Sequence, residues 1–374
     1  MPKVLICAST STHIKNFHLP YLEFFKKQGF ETHVAVPGNA AIEHADIVHS
    51  IPVTKSFLSV NNIKAALMLQ NIIRANRYEL ILTHTALAGA VCRLGVVLAG
   101  KGRTRVIHTV HGYLFYRGCG LLKKLSCYIP EYMLRGVTDC LITMNEEDTE
   151  TARRLVRKGG SVIKVAGMGV DPERFKPAGE AESRSWRKRL SIPEMAFVLV
   201  YAAEFSKRKN HIELIRALKA VVSEHPEVLL LLCGSGALQD YIEAEAERLG
   251  LTENIRFLGW QDHMEDIYKV CDLAVSSSIS EGMPFNIIEA QLCALPVVAS
   301  KIRGHTDLIE HGVNGRLYPP GNPEGLARMI MDAIISPDKS KALGQSARKS
   351  AMNYTLPIAF EENTRAYMSV LNGR

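Results

Sequence analysis

Leu273-Ala274-Val275-Ser276-Ser277-Ser278-Ile279-Ser280-Glu281-Gly282-Met283-Pro284-Phe285-Asn286-Ile287-Ile288-Glu289-Ala290 is the stretch whose reading decides the fold. Its apolar opening, Leu273-Ala274-Val275, has the composition of a parallel strand buried on both faces. A serine-rich loop follows. Gly282 frees the backbone there, and Pro284 suits the first turn of a helix, where its missing N–H is not needed. Strand, polar loop and helix make the repeating unit of an α/β sheet. The helix begins with N–H groups that have no intrahelical partner and with a partial positive charge, a combination that suits a phosphate. Glu281 stands beside that anion site, and Glu289 lies about two turns farther along. Carboxylates are out of place against phosphate but are strong acceptors for sugar hydroxyls. On spacing alone, an ordinary α/β unit with two solvated glutamates fits as well.

The neighbouring sequence repeats the unit. Phe197–Ala202, Val228–Cys233, Ile255–Gly259 and Val297–Ala299 read as further buried strands, with a helix from about Leu238 to Leu249 between two of them. Gly234-Ser235-Gly236 falls after a strand and before a helix, where a close backbone turn is expected. Toward the N-terminus, strands are expected at Val4–Ala8, Glu31–Val36, Leu80–His84, Arg105–Gly112, Thr138–Asn145 and Val162–Val165. Helices are expected from His18 to Lys27, ending at Gly29, and from Asn61 to Arg74. Asn145 with Asp148 three residues on reads as a helix cap. Ser9 to His13 reads as a polar loop at the carboxyl edge of the sheet, and His84 and His111 end strands at the same edge, where ligands of such sheets bind. His111, followed by a glycine, holds the best catalytic position of any histidine. No G-x-G-x-x-G is present, so the first loop is not a dinucleotide fingerprint. Lys176 to Arg189 reads as a linker with a charged helix, and Pro357 to Leu371 as a last helix.

The totals set bounds. With 374 residues, 47% hydrophobic and 22% charged, the chain holds two domains of ordinary size and is not disordered in bulk. A net charge of +7 favours anionic partners such as sugar nucleotides or acidic lipid surfaces, and no nucleic-acid motif accompanies it. The eight cysteines form no C-x-x-C pair; buried reduced thiols in a cytoplasmic protein are expected, not zinc on cysteine. The first apolar run is too short for a signal peptide, and Ala86 to Gly100, interrupted by Arg93, falls short of a membrane span. Between Lys101 and Arg135, Tyr113, Leu114, Phe115, Tyr116, Leu121, Leu122 and Leu125 alternate with Arg117, Lys123 and Lys124. An apolar face rimmed by cations is what docking on an anionic membrane surface needs; a segment packed on its own domain is the alternative.

The stretch around Glu281 resembles the E-x7-E motif of the retaining GT4 glycosyltransferases. The resemblance extends through Leu295–Ser300, Arg303–Ile309 and Asn314-Gly315, the opening Thr12–Val36, and Gly167–Phe175 with its Gly-Val-Asp-x-x-x-Phe pattern. It implies an α/β GT-B fold: two Rossmann-like doubly wound domains facing across a cleft, with a C-terminal helix crossing back. Residues 1–172 with 356–374 would take the acceptor, and residues 173–355 the nucleotide sugar. Tyr354–Pro357 and the first linker would be the hinge. By this resemblance Glu281 meets donor-sugar hydroxyls, Glu289 the ribose, Lys209 the diphosphate, and His111 the donor sugar and acceptor. Gly282, Met283, Pro284, Phe285, Gly234 and Gly236 would line the donor, with Trp260 in the loop beside the base. Thr12, His13 and His84 would face the acceptor or its phosphate. The family arginine is replaced by Glu204, so Arg208, Lys207 or Arg303 would supply the second cation. No Asp-x-Asp pair occurs, so neither a metal nor another cofactor is expected.

The implied reaction moves a sugar from a nucleoside diphosphate sugar, a UDP-sugar such as UDP-N-acetylhexosamine, to a lipid-linked or oligosaccharide acceptor in bacterial surface polysaccharide synthesis, capsule and exopolysaccharide included. The enzyme would be cytoplasmic, peripheral at the inner face of the membrane. The alternatives are a GT-B sugar-nucleotide epimerase and a non-catalytic nucleotide-sugar-binding protein.

Overall fold

The computed structural model describes residues 1–54, 56, 59–116 and 119–373, without the side chain of Lys123. The chain divides into two compact units, Met1–Met168 with Pro357–Arg374, and Gly169–Leu356.

The first unit is built on seven strands: β1 (Lys3–Cys7), β2 (Glu31–Val36), β3 (Ile47–Ser50), β4 (Leu80–His84), β5 (Arg105–Thr109), β6 (Cys140–Thr143) and β7 (Ser161–Lys164). All neighbours run parallel in the order β3-β2-β1-β4-β5-β6-β7. Leu5, Cys7, Ile81 and Val106 on one face pack against Ala65, Leu69, Ile73, Val91 and Val96 of the helices Val60–Asn76 and Ala86–Ala99. Burial on both faces explains the apolar runs Val4–Cys7 in β1 and Leu80–Leu82 in β4. Asn145 caps its helix as expected, its Oδ1 accepting from Asp148 N at 2.8 Å.

The second unit has six strands: β8 (Phe197–Ala202), β9 (Val228–Cys233), β10 (Ile255–Gly259), β11 (Leu273–Ser276), β12 (Val297–Ser300) and β13 (Arg316–Tyr318). They too are parallel, in the order β10-β9-β8-β11-β12-β13. Leu199, Tyr201, Leu230, Leu232 and Val275 form its core with Leu214, Leu218, Leu326 and Ile330 from flanking helices. Each sheet winds outward in two directions, so each has one point where the strand order reverses: between β1 and β4 in the first, between β8 and β11 in the second. At such a point the loops leaving the carboxyl ends diverge and open a crevice.

The last helix, Leu356–Leu371, belongs to the first unit for nearly its whole length, as expected of a helix that crosses back. Tyr367 is fully buried against Tyr21 and Phe25, and Phe360 stacks on Tyr21 with ring centres 5.4 Å apart. Glu362 accepts from Ala166 N at 2.6 Å and Asn363 donates to Gly167 O at 2.8 Å. The expected hinge segment Tyr354–Pro357 carries one parallel bridge, Val170 with Thr355, because Met352–Tyr354 is a short 3-10 turn and the helix begins at Leu356.

Two expectations in the first unit need correction. Residues 11–17 form a helix, not a loop, so Thr12 and His13 are helical. Thr10 caps it, its Oγ1 accepting from His13 N at 3.1 Å, and Ile14 is its single buried residue, which leaves no apolar period to read. The aromatic part of the supposed membrane face is core: Tyr113 and Phe115 are buried and pack with Leu141, Ala152 and Leu155. Leu121, Leu122 and Leu125 do lie outward, joined by Ile129 and Met133 on the helix Leu121–Leu134. A buried, bidentate ion pair fastens that helix to its neighbour: Arg93 Nη1 and Nη2 meet Glu131 Oε2 and Oε1 at 2.9 and 2.7 Å. Arg117 and the side chain of Lys123, two of the three rim cations, lie outside the described residues.

Candidate functional site

The reversal point of the second sheet gathers the loop after β8, Ala203–Asn210, and the loop after β11, Ser277–Pro284. The two are laced together. Ile279 N donates to Arg208 O at 2.9 Å, Ser277 Oγ to Asn210 O at 2.9 Å, and the Tyr201 hydroxyl meets both Lys209 O and Ser278 Oγ. This lacing fixes Glu281. Its Oε1 accepts from Lys209 Nζ at 2.6 Å and from Ser278 Oγ at 2.7 Å, and its Oε2 from Arg208 Nη1 at 2.6 Å. Arg208 therefore occupies the place of the second cation at this carboxylate. Lys207 and Glu204 are exposed, and Glu204 pairs with no cation among the described residues. Arg303 approaches from the loop after β12, donating to Ser280 Oγ at 3.2 Å.

The two glutamates of the motif sit in opposite electrostatic states. Burial pushes the Glu281 carboxyl up, but Lys209 and Arg208 outweigh it and hold the group at about 2. Glu289, in the helix Phe285–Leu292, is half-buried as a residue while its carboxyl lies deep. Burial raises it to about 7, against a hydrogen bond from the Tyr268 hydroxyl at 3.0 Å and the charge of Arg174. Glu281 is thus ionised at neutral pH, and Glu289 is poised near its midpoint.

The predicted glycines are explained by backbone approach. A Cβ on Gly234 would lie 2.1 Å from Ala203 O, and one on Gly236 would lie 2.5 Å from Phe205 O. The pair therefore lets the turn after β9 press on the loop that carries Arg208 and Lys209. Gly304 does the same from the other side: its Cβ would lie 2.9 Å from Gly282 O, so the Arg303 loop rests on the Glu281 loop. Pro284 is the N-cap and Phe285 the first residue of the helix. Met283 is buried, so its side chain belongs to the packing. Trp260 is 72% exposed after β10, its indole donating to Asp262 at 2.9 Å. Sequence reasoning missed His305, which is fully buried, lies 2.7 Å from Ser300 O and 3.3 Å from Ser276 Oγ, and braces the loop from beneath. It also missed Ser278 and Tyr268, for which residue type at the end of a strand or helix was the one available signal.

The reversal point of the first sheet gathers histidines. His13 lies in the helix Ser11–Phe17, His18 joins it to the helix Leu19–Lys27, His84 ends β4 and His111 follows β5. His84 Nδ1 is 3.3 Å from His111 Nε2; the rings of His18 and His84 are centred 4.0 Å apart, and those of His13 and His111 4.9 Å apart. Burial lowers His13 to about 4. Burial, reinforced by repulsion from the other rings, drives His18, His84 and His111 well below the usual histidine range. All four are neutral at pH 7. Thr85, which follows His84, has φ +65°, a strained conformation for a β-branched residue, and its hydroxyl meets Ser9 across the reversal point. Sequence reasoning placed His13, His84 and His111 at this edge but not His18, whose Leu-Pro sequel reads only as a helix start.

A family profile described as "Glycosyl transferases group 1" matches residues 182–350, and one described as "Glycosyl transferase 4-like" matches residues 3–145. EpsD of Bacillus subtilis (strain 168), provisionally named a glycosyltransferase, is 34% identical over 370 residues, 99% of this chain and 97% of that protein. The Escherichia coli UDP-Gal:α-D-GlcNAc-diphosphoundecaprenol α-1,3-galactosyltransferase is 28% identical over 287 residues, 74% of this chain and 73% of that one. Among solved structures, HepE of Anabaena in complex with UDP and glucose superposes with a TM-score of 0.80 at 22% identity, covering 99% of this chain and 100% of that one.

Proposed function

The chain belongs to the GT4-type glycosyltransferases with the GT-B fold, and from that premise we propose which sugar it moves, to what, and how. The donor is a nucleoside diphosphate sugar, a UDP-sugar such as a UDP-N-acetylhexosamine. The acceptor is a hydroxyl of a lipid-linked or oligosaccharide glycan of a bacterial surface polysaccharide. The name of the Escherichia coli relative supports both choices, since it pairs UDP-Gal with a diphosphoundecaprenol-linked sugar. The observation that carries the reading is the Glu281 carboxylate clamped between Lys209 and Arg208 at the reversal point of the second sheet.

The clamp suits a diphosphate beside a sugar. Lys209 has three N–H donors and gives one to Glu281, so two remain for phosphate oxygens. Arg208, Arg303 and the helix start at Phe285 add fixed positive charge, which stabilises the departing nucleotide as its negative charge grows. These groups replace a bridging metal. Ionised Glu281 accepts from donor-sugar hydroxyls, and Glu289, once ionised, accepts from the ribose. In the first unit His111 meets the acceptor. Retention follows a front-face course: the bond from the anomeric carbon to the phosphate oxygen breaks while the acceptor oxygen bonds on the same face, and the acceptor proton passes to the departing phosphate. No carboxylate is assigned as a covalent nucleophile.

The exposed stripe Leu121, Leu122, Leu125, Ile129 and Met133, with Lys124 beside it, would rest on the anionic inner face of the membrane, where a lipid-linked acceptor is found. No helix among the described residues is long and apolar enough to cross a membrane. Leu122→Glu should reduce co-sedimentation with anionic vesicles and leave donor binding intact.

The test of the main reading is a thermal-shift panel of nucleoside diphosphates without added metal, followed by NMR of the product formed with a polyprenyl-diphosphate-linked sugar. Stabilisation by UDP and an α-configured product are expected from an α-configured donor. An inverted product overturns retention. Donor turnover without acceptor overturns transfer in favour of epimerisation, and no shift with any diphosphate overturns the donor site.

A further inference from the structure

The first unit holds a polar centre that the donor chemistry does not use. His18 and His84 are fully buried, and His13 lies largely buried beside them. Four of their ring nitrogens, His13 Nε2, His18 Nδ1, His18 Nε2 and His84 Nε2, are buried without a hydrogen-bond partner among the described residues. Buried imidazoles in folded proteins are normally hydrogen-bonded. Elsewhere in the same unit that rule is kept: His33 Nδ1 lies 2.6 Å from the Tyr78 hydroxyl and its Nε2 lies 2.8 Å from Glu31 Oε1. The orphaned nitrogens are concentrated at the reversal point of the sheet, and they point to something the three rings hold together.

We propose that His13, His18 and His84 form a three-histidine site for a late first-row divalent cation, with Zn²⁺ the best match. One nitrogen from each ring lies within 4.8 Å of the others. A tetrahedral site with metal–nitrogen bonds of about 2.0–2.1 Å sets its donors roughly 3.4 Å apart, so small rotations of the rings close the gap. The ring centres, 4.0, 5.0 and 6.1 Å apart, already bracket the spacing of about 5 Å that such a site requires. Neutral imidazole with no carboxylate or carbonyl in the set selects zinc, cobalt, nickel or copper over magnesium or calcium. His111 completes the arrangement from outside. With His84 Nε2 on the metal, its Nδ1–H donates to His111 Nε2 at 3.3 Å, the outer hydrogen bond that orients a metal-bound histidine. Three protein ligands leave a fourth position open, as in sites that bind an anionic oxygen.

This inference does not rest on the donor assignment, and its test reads metal, not transfer. The full chain is stripped with a chelator, dialysed, and titrated with Zn²⁺ and with Co²⁺. One equivalent per chain is expected, with the visible absorption of a low-coordinate Co²⁺ complex. His18→Gln and His84→Gln should each abolish the absorption and lower affinity about 100-fold or more. His111→Gln should lower it roughly tenfold, within the range for outer-shell partners. His263→Gln, an exposed site elsewhere, should change nothing. A cooperative thermal unfolding transition in chelator, with the far-UV circular dichroism of the parent, would certify that the variants are folded. Failure of the wild-type chain to retain either metal overturns the proposal, as does an equivalent that survives in the His18→Gln, His84→Gln double variant; in that case the rings enclose water only.

Discussion

The two sheets reverse their strand order in the same way, yet what stands at the two reversal points differs. In the second unit the carboxylate at the reversal point is answered: Glu281 has Lys209, Arg208 and Ser278 within 2.7 Å, and beneath it Ile279 N donates to Arg208 O. In the first unit neutral rings face one another with nitrogens unpaired. Topology alone opens a crevice at the carboxyl ends. The side chains then decide whether the crevice is already preorganised before anything binds or needs a ligand to complete it. A carboxylate with two cations is set for a reaction that develops charge; a cage of orphaned imidazoles is set for a cation.

The sharpest way to break the comparison is to unsettle the satisfied site. Lys209→Met removes a partner of a buried carboxylate and, on the proposed reading, a phosphate donor. Transfer, measured as kcat/KM, should fall by about 10²–10³, the scale of losing one preorganised donor. Stability should fall by less than the roughly 3–5 kcal/mol of a buried charge left wholly unpaired, because Arg208 remains. The pH signature follows from Glu281. Its folded value, about 2, is below the unfolded one, so its contribution is present above the unfolded value and is lost as pH falls through the folded one. In Lys209→Met the folded value rises toward the unfolded one, so that acid-side loss should be smaller and should be complete at higher pH in urea melts. An unchanged kcat/KM would remove Lys209 from the diphosphate.

Glu289 is the point within the satisfied site where satisfaction fails, and it gives the next largest effect. Its folded value, about 7, lies above the unfolded one. Its stabilising contribution is therefore full below the unfolded carboxyl range and is lost as pH rises through 7. Glu289→Gln should be more stable than the parent at pH 8 by roughly 1–2 kcal/mol, discounted for partial solvent access, and equal to it at pH 4. UDP affinity should move the opposite way. In the parent it should strengthen as pH rises through 7 and the carboxylate forms, and in the variant it should be weak and flat across that range. Calorimetric titrations with UDP at several pH values read this directly.

A smaller pair of measurements sharpens the contrast between the reversal points. Ser278→Ala removes a hydroxyl that links Tyr201 to Glu281, so it should cost about 1–2 kcal/mol. His18→Leu, in chelator, removes two orphaned nitrogens and fills the space with carbon. It should be neutral or stabilising by about 1 kcal/mol. If both substitutions destabilise equally in urea melts, the two sites do not differ as described.

How much of this was written in the sequence follows the same division. Strands β4, β8 and β9 were readable to the residue because they are buried runs, and the half-buried β10 because a glycine closes its short apolar run. β3 and β13 were not, being only four and three residues long, the first half-exposed and the second opening on an arginine. The loops around Glu281 were legible because their residues lie close together along the chain in a pattern with a mechanical reason for Gly234, Gly236 and Gly304. The histidine cluster is assembled from positions 13, 18, 84 and 111, a convergence that only the β1–β4 pairing creates. Helix Ser11–Phe17 hid it further, since one buried residue gives no period to detect.

The smallest effect is expected at Glu204, where the family pattern has arginine. Arg208 has taken the place at Glu281 Oε2, and Glu204 is exposed. Glu204→Arg should therefore leave stability within about 0.5 kcal/mol, as surface changes do. On the proposed reading it reverses a negative charge near the diphosphate, so UDP affinity should rise a few-fold at low salt and lose most of that gain at high salt, where exposed charges are screened. A large, salt-resistant gain would mean that the added guanidinium enters the site itself. Arg208 would then be a partner for Glu281 and not the second phosphate cation, and the clamp would be one donor short of what the transfer reaction needs.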